Sequence, residues 1–301
     1  MRVLYFWGII FAMEKKGSKH IGTAILAVLV LLDLTLWYAI FSGRTDHATR
    51  IHFLDVGQGD SALFTFPNRV QMLIDAGPPR SASRPLSRAM RREDRYIDLA
   101  ILTHPELDHM GGYAELLERY EFGAFLWNGR TDANAKEEWR ELTDALRARS
   151  IPMIAIGAGD RILIASSTAH FISPDRTWAQ SGAPNDAGLV MHIGTPNLRA
   201  LFTADIDSKV EADLVKKEMF GAEVLKIAHH GSKYSSSETF LRAVAPHVAV
   251  VSAGKGNRYG HPTQDVLARI AHMGAEIFRT DQNGTVEIVG EGTTLKIFVG
   301  K

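Results

Sequence analysis

The sequence of 301 residues contains no cysteine. This absence excludes disulfide bonds, thiolate metal sites and cysteine nucleophiles, so any bound metal ion must be held by nitrogen and oxygen atoms. The sequence also lacks an excess of either charge, because 34 Lys and Arg residues balance 34 Asp and Glu residues. Global charge therefore points to neither a nucleic-acid nor an acidic partner, and only a local basic cluster could do so.

Long apolar runs are scarce, and the main exception is residues 21–41. That run has about the 20 residues that a helix needs to cross a hydrocarbon core about 30 Å thick. Lys15, Lys16 and Lys19 precede it, and the positive-inside rule then places the N-terminus in the cytoplasm. We therefore predict a single-pass protein of the cell membrane with an extracytoplasmic main domain, although Asp33 lies in the run. The alternatives are a cleaved signal peptide, which would give a secreted protein, and a buried helix.

Downstream of residue 50, short β-rich runs come first as an antiparallel meander and then alternate with amphipathic helical segments. Many strands with interspersed helices predict an α/β or α+β sandwich in which helices cover the sheets. The predicted organisation is a cytoplasmic segment over 1–20, a transmembrane helix or signal anchor over 21–41, a linker over 42–50 and one main domain over 51–301.

A dense group of potential metal ligands directly follows the predicted strand 99–103. His104, Glu106, Asp108 and His109 lie within six residues and precede a Gly-Gly pair. Each of these residues alone is more often structural than functional. Together, at the end of a strand where side chains point into a crevice, they indicate a metal site.

Three predicted strands in the second half of the chain also end on potential ligands. Asp205 follows the first, the pair His229 and His230 follows the second, and His261 follows the third. Asp205 alone could be a helix cap. Apolar strands that repeatedly end on His or Asp nevertheless favour a metal site at one edge of a sheet, because a packed core does not require them.

Taken in order, these motifs resemble the metallo-β-lactamase superfamily and, within it, the C-terminal hydrolase domain of ComEC-type competence proteins and their stand-alone relatives. The resemblance covers most of residues 51–299. It implies a four-layer αβ/βα sandwich with a two-metal site at its edge, and hydrolysis of a phosphodiester with DNA as the leading substrate. It rests on FLDVGQGDS at 53–61, LIDAG at 73–77, THPELDHMGG at 103–112, Asn185-Asp186, TAD at 203–205, KIAHHGS at 226–232 and NRYGHP at 257–262.

The resemblance also implies roles for the ligand residues. His104 and Glu106 would bind one metal ion, Asp108 and His109 the other, and Asp205 would bridge them. Asp108 would also orient the attacking water.

His229 and His261 would be the remaining ligands or their close neighbours. His230 would move a proton, although the resemblance leaves open which of His229 and His230 faces the metal. Asp75 and Asp60 would support the site from behind.

Glu106 departs from much of the superfamily, which has His at this position, and agrees with the ComEC-like branch. The predicted cofactors are two divalent metal ions. A carboxylate-rich site favours Mn²⁺ over Zn²⁺ or Mg²⁺ as the bound element. No His stands where zinc β-lactamases place a third zinc ligand, and Asn185 occupies that region. We expect His170 and His192 to be packed side chains.

Several cations lie near the predicted ligand loops. Residues 78–95 include six arginines, which form either a basic patch able to follow a phosphate backbone or a solvated helix paired with Glu93 and Asp94. The predicted substrate-binding residues are Asn185, Ser232, Lys233, Lys255, Asn257 and Arg258.

The favoured function is a metal-dependent nuclease or phosphodiesterase that acts on DNA outside the cytoplasm. The chain lacks a multi-helix channel, so a separate DNA-uptake channel is the partner this function would need for transport. One alternative is a hydrolase of a small ester, lactone, β-lactam or lipid headgroup. Another is a metal-stabilised binding module without catalysis.

Overall fold

A computed structural model describes residues 19–41, 48–130, 136–179, 183–217 and 221–300. The chain divides into two units, residues 1–45 and 46–301. Most of the predicted cytoplasmic segment, and most of the predicted linker, lie outside the described residues.

The described part of the first unit is one helix, α1, which runs over Lys19–Phe41. It coincides with the run for which a transmembrane helix is predicted. Among the described residues, however, no helix combines the length and the hydropathy needed to cross a membrane. The predicted membrane-spanning role of residues 21–41 is therefore not supported.

The described residues of the second unit form fifteen strands. In chain order they are β1 Thr49–Phe53, β2 Ala62–Thr65, β3 Gln71–Ile74, β4 Tyr96–Leu102, β5 Glu121–Trp127, β6 Met153–Ala155, β7 Arg161–Ile164, β8 Ser167–Ser173, β9 Val190–Gly194, β10 Arg199–Phe202, β11 Val224–Lys226, β12 Val248–Val251, β13 Glu276–Arg279, β14 Val286–Glu291 and β15 Thr294–Val299.

The strands form two sheets. The first has the order β15-β14-β1-β2-β3-β4-β5-β6 and the second the order β13-β12-β11-β10-β9-β8-β7. Pairing is parallel from β3 to β6 and from β10 to β13, and antiparallel elsewhere.

Short helices connect many of the strands in the described part of this unit. They are α2 Ser83–Ala89, α3 Leu107–Met110, α4 Tyr113–Leu116, α5 Glu137–Ala148, α6 Arg176–Ala179, α7 Ser208–Lys217, α8 Glu238–Val244, α9 Gln264–His272 and α10 Thr280–Asn283.

Both faces of the inner strands of each sheet are largely buried, which explains why many of these strands read as continuous apolar runs. In β2, Phe64 joins the core between the sheets, whereas its neighbour Leu63 packs on the outer face. Trp139 of α5 covers that outer face, and Phe240 of α8 covers the outer face of the second sheet. The resulting order of helix, sheet, sheet and helix confirms the predicted α/β sandwich with two covered sheets.

Several elements are absent from the sequence pattern, which predicts neither β8 nor the short helices α3, α6 and α10. In β8 the side chains at Thr168 and His170 are only half-buried, so polar residues interrupt the apolar alternation. The helix α2 lies in residues 78–95, for which a solvated helix is one of the two predicted alternatives, and its Leu86 is fully buried. Among these elements only α3 carries predicted ligands, Asp108 and His109.

Candidate metal centre

The candidate ligands come from loops that follow strands of both sheets and meet at one edge of the sandwich. His104 follows β4, Asp205 follows β10 and His230 follows β11. Because the parallel strands of each sheet end at the same edge, residues distant in sequence become neighbours there. A rigid sheet behind these loops fixes where their side chains begin.

His109 is held from behind by Asp75. Its Nδ1 lies 2.8 Å from Asp75 Oδ2, and its Nε2 points to Asp205 Oδ2 at 3.4 Å. Asp75 also accepts hydrogen bonds from the Thr103 backbone N–H and from the Thr103 hydroxyl, both at 2.8 Å. A carboxylate on Nδ1 fixes the tautomer and leaves Nε2 free as a ligand.

His104 is oriented through the same hydroxyl. Its Nδ1 lies 3.0 Å from Thr103 Oγ1, and because that hydroxyl donates to Asp75, it accepts from His104. The Nε2 atoms of His104, His109 and His230 are all buried and have no hydrogen-bond partner among the described residues. Buried polar atoms are rarely left unpaired, so these three nitrogens fit the ligands of a metal ion.

His230 and His229 take different positions. His230 is buried, and its Nε2 lies 3.4 Å from both Asp108 Oδ2 and Asp205 Oδ2, while its Nδ1 lies 3.0 Å from the Ser252 carbonyl oxygen. The His229 side chain is 31% exposed, and its Nε2 lies 3.9 Å from Asp205 Oδ2. Of the two histidines between which the sequence left the choice open, His230 is therefore the better-placed ligand.

The backbone conformation explains why His230, and not His229, is turned inwards. Both histidines have positive φ, 50° at His229 and 54° at His230. Two successive left-handed residues turn the second side chain inwards, which alternation along β11 does not predict. Such conformations cost about 1–3 kcal/mol each and cluster at functional sites.

Among the described residues, four groups of three bring their ligand atoms within 4.8 Å of one another. His109 belongs to three of these groups. Two groups consist only of predicted ligands or catalytic residues, and the other two include Asp60. The groups are His104, His109 and Asp205; Asp108, His109 and His230; Asp60, Asp75 and His109; and Asp60, Asp205 and His230.

Asp60 already has a cationic partner. The buried Lys226 ammonium forms an ion pair with Asp60 Oδ2 and lies 3.9 Å from Asp205 Oδ1. Since a carboxylate that is neutralised in this way is a weaker metal ligand, the two groups without Asp60 define the centre better. Lys226 is absent from the predicted site, although it stands in the motif that contributes His229 and His230.

The electrostatics of the centre favour a cation. Burial lowers the pKa of His230, but Asp205 and Asp60 outweigh burial and raise it to about 10. Conversely, burial raises the pKa of Asp205, but His230 and His109 outweigh it and hold that pKa well below its usual range. Burial and the charge of His109 lower the pKa of His104 to about 3, which leaves its imidazole neutral and ready to bind a metal ion.

Glu106 differs from the buried ligands. Its carboxylate is 35% exposed, and Oε1 lies 2.6 Å from the Lys136 ammonium, which also donates to the Pro105 carbonyl oxygen at 2.8 Å. Glu106 faces the site but belongs to none of the four ligand groups. Lys136, like Lys226, is a cation that the sequence pattern does not associate with the centre.

The centre opens into a cavity of about 140 Å³, which continues into an outer groove of about 560 Å³. Gln58, Glu106, Asp108 and Tyr259 line both spaces. The remaining cavity residues are His104, Asn185, Asp205, His229, His230 and His261. The remaining groove residues are Pro78, Leu107, Asn257 and Arg258.

Only some of the predicted substrate-binding residues line the cavity or the groove. Ser232 is buried, so it is not available to a substrate. The Asn257 side chain donates to the carbonyl oxygens of Gly254 and His261 at 2.9 and 2.5 Å, which gives it a part in holding its own loop. Arg258 lines the groove and Asn185 the cavity, whereas Lys233 and Lys255 line neither.

The arginine-rich segment lies at another depression. Arg84 and Arg88 line a space of about 750 Å³ that shares no residue with the metal cavity. None of the described arginines in residues 78–95 forms an ion pair with Glu93 or Asp94. The segment thus contains the helix α2 with exposed arginines, as one alternative predicts, but without the predicted pairing to Glu93 and Asp94.

Comparisons with known proteins agree with this fold. The sequence model of the metallo-beta-lactamase superfamily matches residues 54–255. The chain therefore belongs to this superfamily, and the coarser prediction of a metal-dependent hydrolase with divalent metal ions follows from that membership.

Competence proteins are among the relatives, at modest identity, which confirms the predicted ComEC-like resemblance. ComE operon protein 3 of Bacillus subtilis (strain 168) is 28% identical over 297 residues, which cover 93% of this chain and 37% of that protein. Competence protein ComA of Neisseria gonorrhoeae is 30% identical over 244 residues, which cover 79% and 32%. The chain thus spans about a third of the length of these relatives.

Solved structures share the fold at low sequence identity. The metallo-beta-lactamase fold protein YhfI from Bacillus subtilis has a TM-score of 0.54 and 11% identity, over 84% of this chain and 100% of that chain. CmlA, a diiron beta-hydroxylase from Streptomyces venezuelae, has a TM-score of 0.54 and 12% identity, over 84% of this chain and 54% of that chain. Zn²⁺-bound PqqB from Methylobacterium extorquens has a TM-score of 0.51 and 14% identity, over 76% of this chain and 97% of that chain.

Proposed function

We propose that the chain is a two-metal phosphodiesterase that hydrolyses DNA. The observation that carries this proposal is the pair of neighbouring ligand groups formed by His104, His109 and Asp205 and by Asp108, His109 and His230, whose members other than His109 line an open cavity. Two divalent ions in such a site bind a phosphate, activate a water and stabilise the leaving oxygen. Asp205 Oδ2 lies 3.4 Å from Nε2 of both His109 and His230, so this carboxylate would be placed to serve both ions.

The protein's own residues have separate tasks in this scheme. Asp108 lines both the cavity and the groove, which suits it to orient the attacking water. His229 lies beside Asp205 without belonging to a ligand group, so its Nε2 is placed to move a proton. Asp75 and Thr103 hold the ligand histidines in their tautomers.

The shape of the site favours a polymer over a small substrate. The inner cavity of about 140 Å³ is smaller than the roughly 300–1,000 Å³ of sites that enclose small molecules. The larger space lies outside, in an open groove. A small ester, lactone, β-lactam or lipid headgroup is therefore the second candidate, and a binding module without catalysis is the third.

The substrate and setting come from the relatives. Proteins named for competence and recombination are similar to this chain over most of its length. We infer that the domain acts on DNA outside the cytoplasm, beside a separate uptake channel. The finding that no described helix can cross a membrane leaves the N-terminal helix out of this inference.

We infer Mn²⁺ as the preferred ion, because Asp108 and Asp205 add hard oxygen ligands to the histidines. Zn²⁺ is the competing ion, since nitrogen ligands also suit it. The similar folds bind zinc in one case and iron in another, so the fold does not decide between them.

The test is cleavage of labelled single- and double-stranded DNA by the purified full chain with Mn²⁺, Zn²⁺ or Mg²⁺. We expect cleavage that a chelator abolishes and that Asp108→Asn reduces strongly. Asp144→Asn is the matched control, because Asp144 is an exposed carboxylate paired with Arg147 in α5. Turnover of a lactone or β-lactam with no DNA cleavage would instead support the second candidate.

A further inference from the structure

Tyr259 stands at the boundary between the metal cavity and the outer groove. It lines both spaces, and its side chain is 53% exposed. Any polymer that places one phosphodiester in the cavity must pass this residue as it leaves along the groove.

The loop that carries Tyr259 is ordered by its own hydrogen bonds. Asn257 Oδ1 accepts hydrogen bonds from the backbone N–H groups of Tyr259 and His261, both at 3.1 Å. The Asn257 amide donates to the carbonyl oxygens of Gly254 and His261. The exposed ring is therefore presented from a fixed backbone, which reduces the entropy lost when a ligand contacts it.

Arg258 adds a positive charge over one face of the ring. Its guanidinium carbon lies over the Tyr259 ring at 4.9 Å from the centroid, and Nη2 donates to the Tyr259 hydroxyl at 2.7 Å. A nucleobase would therefore stack on the opposite face. Arg258 is the only Lys or Arg among the described residues that line the groove. An aromatic face and a neighbouring guanidinium match the base and the phosphate of one nucleotide.

We propose that Tyr259 is a stacking platform for the nucleobase next to the scissile phosphodiester, with Arg258 contacting the adjoining phosphate. Stacking of this kind tolerates any base, because every base has an aromatic face. It requires an unpaired base, since the bases of a duplex are already stacked and paired. The subsite therefore selects single-stranded nucleic acid; this inference rests on the proposed function.

The chain provides a matched control. Tyr234 is 65% exposed, and the Lys233 ammonium lies 5.0 Å from its ring centroid, so it repeats the combination of tyrosine and cation. It lines neither the cavity nor the groove. A general effect of removing an exposed tyrosine would appear in Tyr234→Ala as well.

The experiment measures binding of the full chain, in the presence of a chelator, to three fluorescent probes of equal length. They are oligothymidylate, an abasic oligonucleotide and duplex DNA. We expect wild type and Tyr259→Phe to bind oligothymidylate about 5- to 150-fold more tightly than the abasic probe. Tyr259→Ala should lose this difference, Tyr234→Ala should keep it, and binding of duplex DNA should not depend on Tyr259.

Base-dependent binding that persists in Tyr259→Ala would overturn the proposal, as would its absence in wild type. A parallel cleavage assay with Mn²⁺ separates this result from the proposed function. If wild type binds in a base-dependent way but cleaves nothing, the stacking subsite stands and the catalytic proposal fails. If it cleaves base-bearing and abasic probes equally well, the catalytic proposal stands and the subsite fails.

Discussion

The inner half of the centre, formed by His104, His109, Asp205 and His230, contrasts with its outer rim, formed by Glu106, Asp108, His229 and His261. The inner residues are at most 3% exposed, and hydrogen bonds to groups behind them fix the histidine rings. The rim side chains are partly exposed, and Glu106 is held by a lysine. The inner half is thus built in advance for metal binding, whereas the rim can adjust to metal and substrate.

The largest expected effect comes from Asp205→Asn in the inner half. This change keeps the size of the side chain but removes its negative charge. Asp205 Oδ2 lies 3.4 Å from Nε2 of both His109 and His230. We expect metal affinity and DNA cleavage to fall by more than the roughly 100-fold upper range for residues that only support a ligand. Competition with a metal-binding dye measures the affinity, and unchanged affinity would show that Asp205 does not bind metal.

The next effect is expected from Asp75→Asn, which alters the support of the inner half without removing a ligand. The amide cannot accept the His109 N–H as strongly as the carboxylate does. We therefore expect metal affinity to fall by about 10–100-fold while the protein stays folded. Circular dichroism checks the fold, and a loss equal to that of Asp205→Asn would contradict the division into ligand and support.

A change of pH should distinguish the inner half in the metal-free protein. Because Asp205 and Asp60 raise the folded-state pKa of His230 from 6.5 to about 10, its protonation stabilises the fold fully below pH 6.5. This contribution is lost as the pH rises towards 10. Thermal unfolding in the presence of a chelator should show that the stability of the wild-type protein falls over that pH range, and that the stability of His230→Gln falls less. An equal fall in both proteins would contradict the role given to His230.

The smallest expected effect comes from the rim. Glu106 is partly exposed and paired with Lys136, and such pairs are worth about 0–1 kcal/mol. We expect Glu106→Gln to weaken metal binding by less than about 10-fold, below the range for a buried supporting residue. Lys136→Met should leave metal binding equal or tighter, because it frees the carboxylate. If Glu106→Gln matched Asp205→Asn, the inner half and the rim would not differ as described.

The sequence predicts the position of the centre better than its internal arrangement. The ligand loops after β4, β10 and β11 are predictable because each apolar strand and its ligand are neighbours in the chain. Lys226 pairs with Asp60 across 166 positions, and Lys136 reaches Glu106 across 30, so local patterns do not reveal these contacts.

The same distinction explains the other differences. The choice between His229 and His230 depends on the left-handed backbone of both residues, which the sequence pattern does not reveal. The apolar composition of residues 21–41 predicts a helix correctly, but composition alone does not establish a membrane span.

The most direct test of the central claim counts metal ions in the purified full chain by plasma mass spectrometry, beside cleavage of DNA by the same samples. We expect two divalent ions per wild-type chain, and we expect Asp205→Asn to lose both bound ions and cleavage. Cleavage by chelated wild-type protein should return when Mn²⁺ is added back. Full cleavage by wild-type protein that has been stripped of metal would contradict the central claim.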